Sequence, residues 1–104
     1  MGILSNLFGG GNNKVAEYLA SGAMIIDVRT TGEFQGGHVV GAKNIPLQTI
    51  ESNLSKIKNF NKPIVLCCAS GMRSGQATSF LQRNGVDCVN GGGWMKVNGL
   101  VQNV

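Results

Sequence analysis

Two short runs constrain this chain more than anything else in it. Met24-Ile25-Ile26-Asp27-Val28 and Ile64-Val65-Leu66-Cys67 are almost wholly apolar and show no alternation of apolar and polar residues. A strand with one wet face alternates; a strand apolar throughout is buried on both faces, the mark of a parallel sheet covered on each side by helices. The segments between supply those helices. Val15, Ala16 and Leu19 share one side of a helical pattern that starts at Asn12 or Asn13 and stops at Gly22. Thr31 to Phe34 reads as one helical turn capped by Thr30 or Thr31. Leu47, Ile50, Leu54 and Ile57 recur at helical spacing, predicting a helix to about Lys58. Ala77, Phe80 and Leu81 mark another helix, which ends at Asn84-Gly85. Ala42 to Ile45 and Val86 to Val89 read as further strands, Gly91 to Gly93 as a turn, and Trp94 to Val97 as a last helical turn. Strand and helix alternate almost throughout. The expected fold is therefore α/β: a three-layer sandwich with a small, mainly parallel sheet of four or five strands flanked by helices.

The 104 residues suffice for one domain and not two. The triple glycine Gly9 to Gly11 sets off residues 1–11 as a flexible tail, leaving 12–104 as the domain. That tail lacks the basic start and sustained apolar length of a signal peptide or membrane span. Gly2 is no myristoylation signal, because Asn6 stands where Ser or Thr is wanted. The expectation is a cytoplasmic protein without a membrane partner. The net charge of +4 is scattered, with no basic run, which favours anionic partners mildly and argues against nucleic acid. Three cysteines occur, Cys67 and Cys68 side by side. Adjacent Cα atoms lie about 3.8 Å apart, short for ordinary disulfide geometry, so free thiols in a reducing compartment are expected. His38 is the only histidine and no CxxC pair occurs, so no metal site is expected.

The chemistry concentrates in Cys67-Cys68-Ala69-Ser70-Gly71-Met72-Arg73-Ser74, just after the second apolar run. In open parallel sheets ligands sit beyond the carboxyl ends of the strands, where this loop and Asp27-Val28-Arg29 both fall. A thiol becomes a strong nucleophile as thiolate, and a helix N-terminus or a nearby cation favours that form. Small residues let the backbone curl around an anion, and Arg73 offers a planar fork of donors. Two reactions suit such a cradle. In sulfur transfer the loop holds one charged sulfur; in phosphoryl transfer it must surround three oxygens and be wider. Counted from Cys68, four residues precede Arg73; counted from Cys67, five. A four-residue strand ending at Cys67 matches its neighbours better than a three-residue one, which tilts the count slightly toward Cys68.

Ile26-Asp27-Val28-Arg29, Glu33-Phe34, Gly37-His38-Val39-Val40-Gly41-Ala42-Lys43-Asn44-Ile45-Pro46, Cys68-Ala69-Ser70-Gly71-Met72-Arg73-Ser74, and Gly91-Gly92 with Trp94 together resemble the signature of the rhodanese family, in the right order. The family's loop glycine falls on Gly71 only if Cys68 is the nucleophile. The resemblance implies a sulfurtransferase in which Cys68 takes a sulfane sulfur from thiosulfate or a protein persulfide and passes it to cyanide or a thiol acceptor, with no metal or organic cofactor. It implies a substrate-binding loop of Ala69, Ser70, Gly71, Met72, Arg73 and Ser74, with Arg73 on the bound anion. Asp27, Arg29, Glu33 and His38 become supporting residues: Asp27 anchors loops, Arg29 and Glu33 pair, and His38 is structural. Many relatives carry Arg directly after the cysteine; here Ala69 stands there, which removes a charge and favours a persulfide over thiosulfate. Cys88 and Trp94 read as packing residues. Two rivals remain open: a Cys67-dependent phosphatase or arsenate reductase on the same fold, and a non-catalytic binding module.

Overall fold

In the computed structural model, which describes residues 10–102, four strands form one wholly parallel sheet in the order β2-β1-β3-β4. The elements are α1 (Gly10–Ala20), β1 (Met24–Asp27), α2 (Thr31–Gln35), β2 (Lys43–Asn44), α3 (Leu54–Asn59), β3 (Ile64–Cys68), α4 (Met72–Arg83), β4 (Cys88–Gly93) and α5 (Trp94–Val101). The alternation of β3 explains its unbroken apolar run. Ile64, Leu66 and Cys68 face one layer, with Ile26, Val28, Ile57, Ala77 and Leu81. Val65 and Cys67 face the other, with Val15, Ile25 and Val97. Each such buried aliphatic side chain contributes about 1.5–3 kcal/mol.

The structure departs from the sequence expectations in local detail. The helix expected from Leu47 is instead two 3-10 turns, Leu47–Thr49 and Glu51–Asn53, followed by α3. Polar side chains compete with the helix there: Thr49 Oγ1 donates to the Pro46 carbonyl at 2.8 Å, and Asn53 Nδ2 to the Thr49 carbonyl at 2.8 Å. The last strand begins at Cys88 and runs through the glycines expected to be a turn. A Cβ on Gly91 would lie 2.7 Å from Val97 Cγ2 and 2.8 Å from Val65 Cγ1, so the sheet closes here only around a hydrogen atom. Between Leu66 and Cys67 the register slips past Gly91, so that Asn90 and Gly92 become their partners. The final helix is a full eight residues. At the other end α1 starts at Gly10, inside the glycine run; residues 1–9 of the expected tail lie outside the described residues.

Candidate active site

Cys68 is the last residue of β3, and α4 begins four residues later at Met72. Gly71 makes the turn between them with φ +105°, where a Cβ would also stand 3.2 Å from Gly92 Cα. That turn aims the first amides of α4 back at the strand end. The Gly71 N–H donates to Cys68 Sγ at 3.0 Å and the Ser74 N–H at 3.4 Å, while Ser74 Oγ lies 3.3 Å from the same sulfur. Burial pushes the Cys68 thiol up, but the Ser74 hydroxyl, when its proton faces the sulfur, and the amides of Ser74, Gly71 and Ser70 outweigh it and bring the thiol below its ordinary value. Ala69, Ser70 and Met72 line the solvent side of the loop.

The neighbouring thiol is in a different place. Cys67 points into the opposite layer and is fully buried. Burial and the negative charge of Asp27 push it up to about 12, against the opposing pull of Arg29. Cys88 is buried beside α4, where its S–H faces the Thr78 carbonyl at 3.7 Å, and burial holds it at about 11.

The expected pair of Arg29 and Glu33 is not formed. Arg29 folds back along its own strand end: Nε donates to Asp27 Oδ1 at 3.0 Å and Nη2 to Asp27 Oδ2 at 2.8 Å. Nη2 also donates to the Gly37 carbonyl at 2.7 Å, and the guanidinium lies 4.9 Å from the centre of the Trp94 ring. Asp27 is only two residues away and already inside, so it takes the fork before the exposed Glu33 can. Glu33 pairs instead with Arg73, whose Nη1 and Nη2 donate to its two oxygens at 2.9 and 3.1 Å. Arg73 first, and then the Thr30 amide, hold the Glu33 carboxyl down at about 2. The same carboxylate closes a capping box with Thr30 at the start of α2. The Arg73 fork is thus occupied by a carboxylate rather than directed at Cys68. His38 stacks on Phe34 with ring centres 3.7 Å apart, and its Nδ1–H donates to the Phe34 carbonyl at 2.7 Å.

Two site residues escape the sequence reading. Asn44 Nδ2 donates to the carbonyls of Asp27 and Arg29, both at 3.0 Å, fastening β2 to the end of β1. Asn90 Oδ1 lies 2.7 Å from Ser74 Oγ and accepts from the Gly92 N–H at 3.0 Å; its Nδ2 donates to the Gly71 carbonyl at 3.1 Å. Asn90 precedes a glycine run and Asn44 ends a short strand, and nothing local marks either one as a brace. Among the described residues no group of three or more metal-ligating side chains comes together, and no helix is long and apolar enough to cross a membrane.

Residues 12–99 match the rhodanese-like domain family. The chain belongs to that family. Among its relatives, the uncharacterized protein YqhL of Bacillus subtilis is 39% identical over 82 residues, a match that takes in 77% of this chain and 64% of YqhL. The thiosulfate sulfurtransferase PspE of Escherichia coli is 35% identical over 72 residues, 68% of this chain and 69% of PspE. The crystal structure of SSP1007 from Staphylococcus saprophyticus superposes with a TM-score of 0.69 at 34% identity, covering 85% of this chain and 89% of that one. The rhodanese-like architecture of a small parallel sheet between helices is thereby shown for this chain.

Proposed function

We propose that this rhodanese-like chain is a sulfurtransferase that carries a sulfane sulfur on Cys68. One observation carries the reading: main-chain amides at the start of α4 converge on the Cys68 sulfur, and on no other thiol among the described residues. The arrangement stabilises one charged sulfur atom. With thiosulfate as donor, the Cys68 thiolate attacks the outer sulfur. A new S–S bond forms, the S–S bond of thiosulfate breaks, and sulfite leaves with the electron pair. The outer sulfur of the resulting persulfide carries the negative charge within reach of the loop amides. Cyanide then attacks that sulfur and leaves as thiocyanate, or a thiolate attacks it and leaves as a new persulfide; either way the Cys68 thiolate returns. Every step is a two-electron displacement at sulfur and consumes no external oxidant. Similarity to the thiosulfate sulfurtransferase PspE supports thiosulfate as one donor. Against that donor stand Ala69, which brings no charge, and Arg73, whose fork is taken by Glu33. A protein or low-molecular-weight persulfide, needing less charge neutralisation, fits the site better.

The phosphatase alternative draws no support from the geometry, because Cys67 faces the packed layer away from the loop. The test is intact-mass analysis after thiosulfate or polysulfide treatment, followed by peptide mapping. Wild type and Cys67→Ala are expected to gain one sulfur on Cys68, and Cys68→Ser none. Sulfur found on Cys67, or aryl phosphate hydrolysis lost in Cys67→Ala, would overturn the assignment.

A further inference from the structure

The Ser74 hydroxyl has one proton and two neighbours that want it. It lies 2.7 Å from Asn90 Oδ1 and 3.3 Å from Cys68 Sγ. The orientation of the Asn90 amide is fixed from both sides. Its nitrogen must face the Gly71 carbonyl, an acceptor only, and its oxygen must face the Gly92 N–H, a donor only. Asn90 therefore presents an oxygen to Ser74, and two oxygens at 2.7 Å need a proton between them. The only one available is that of Ser74. In the resting thiol, then, Ser74 turns its lone pairs to Cys68, and the chain runs from Cys68 S–H to Ser74 Oγ to Asn90 Oδ1. A thiolate or a terminal persulfide sulfur reverses this preference. Lone pairs facing an anion repel it, and rotation about the Cβ–Oγ bond brings the proton round to sulfur.

We propose that Asn90 is a positioning residue that holds the Ser74 hydroxyl proton away from Cys68 in the resting thiol and releases it to the sulfur when the sulfur is charged. Asn90 then keeps the Gly92 N–H as its remaining donor. The effect is a brake on ionisation and on persulfide stability, so that the loaded sulfur is held less tightly and leaves more readily. The proposal deepens the sulfurtransferase reading and rests on it for its purpose, but not for its test.

Other charges near the sulfur are accounted for. From the end of β1 come Asp27 and Arg29, paired with each other; from α4 comes Arg73, paired with Glu33 of α2. Cys67 lies on the far side of β3, and the Lys96 stem of α5 lies 4.0 Å from where a Gly92 Cβ would be. None of these lies between Ser74 and Asn90.

The test is the thiolate absorbance of the unloaded protein against pH, in wild type, Asn90→Ala, Ser74→Ala and the double variant. Burial pushes Cys88 up to about 11 and Cys67 up to about 12, so Cys68 is read below them. Asn90→Ala is expected to lower the Cys68 midpoint by about 0.5–1 unit, the scale of one ordinary hydrogen bond, and Ser74→Ala to raise it. In the Ser74→Ala background, Asn90→Ala should have no effect. A second variant, Asn90→Asp, keeps the oxygen, adds charge, and should raise the midpoint. An equal shift in both backgrounds, no shift in either, or the same direction for Ala and Asp would make Asn90 a mere loop brace and overturn the proposal. Sulfur loading is not needed for the measurement, so that failure would leave the sulfurtransferase reading standing.

Discussion

At the scale of single residues, the site depends on one backbone conformation. Gly71 sits at φ +105°, ψ −10°, and from there its own N–H reaches Cys68 Sγ at 3.0 Å. Any β-carbon meets two obstacles at once, the left-handed backbone and Gly92 Cα at 3.2 Å. Gly71→Ala is expected to cost about 1–3 kcal/mol in denaturant unfolding and to slow alkylation of Cys68 at neutral pH. Unchanged alkylation with the full stability loss would mean that the amide ring does not govern the thiol. The two adjacent cysteines make the complementary point. Successive side chains of a strand point to opposite faces, so neighbours in sequence end in different layers. One thiol is lowered by amides and the other raised by burial, although only one peptide unit separates them.

At the scale of elements, α2 and the start of α4 are tied by the bidentate contact of Arg73 with Glu33. The pair is largely exposed, so its worth is modest. Under the proposed sulfur transfer its consequence is for substrate: while it holds, Arg73 is not free to meet an anionic donor. Glu33→Gln is expected to lower the KM for thiosulfate about two- to five-fold with little change in kcat, the scale of an exposed ion pair. An unchanged or higher KM would show that Arg73 does not turn to the donor when released. Glu33 also carries a pH signature. Its folded value of about 2 lies below the ordinary 4.5, so its contribution to stability is present above 4.5 and lost as pH falls toward 2. The acid limb of a melting-temperature profile should be shallower in Glu33→Gln than in wild type. Such partnerships mark where the sequence stops being legible. The strands β1 and β3 could be read directly, because an unbroken apolar run has one physical solution. Glu33 and Arg73 are 40 positions apart. Nothing near either of them says that Arg29 will be claimed by Asp27 first. The two 3-10 turns before α3 were hidden for a related reason: apolar spacing was helical, but Thr49, Ser52 and Asn53 spend their side chains on nearby carbonyls. The glycines of β4 look like a turn until the tertiary neighbours Val65 and Val97 show why no larger residue fits at Gly91.

At the scale of the whole molecule, two of the three thiols are structural, and they sit on opposite sides of the same sheet, Cys67 with α1 and α5 and Cys88 with α4. Both are neutral groups that the fold keeps neutral. Their ordinary value is 9.0, while in the folded chain burial raises Cys88 to about 11 and Cys67 to about 12. Above pH 9 the unfolded chain therefore releases protons that the folded chain retains. Stability that is fully present below 9 must fall as pH rises through the folded values. Each thiol can contribute a slope of up to about 1.4 kcal/mol per pH unit in that window. Cys68 runs the other way: its lowered value adds stability above the ordinary thiol range and loses it as pH falls. The expected result is a wild-type stability profile that declines between pH 9 and 11. Cys67→Ala should flatten it, while Cys68→Ser should leave this window largely unchanged and remove a rise in stability below pH 9. Reversible unfolding in denaturant at a series of pH values measures these slopes directly. A wild-type profile that stays level in this range, or a Cys67→Ala variant with an undiminished decline, would mean that the sheet interior ionises Cys67 as readily as water does, and the separation of roles between the adjacent thiols would fall with it.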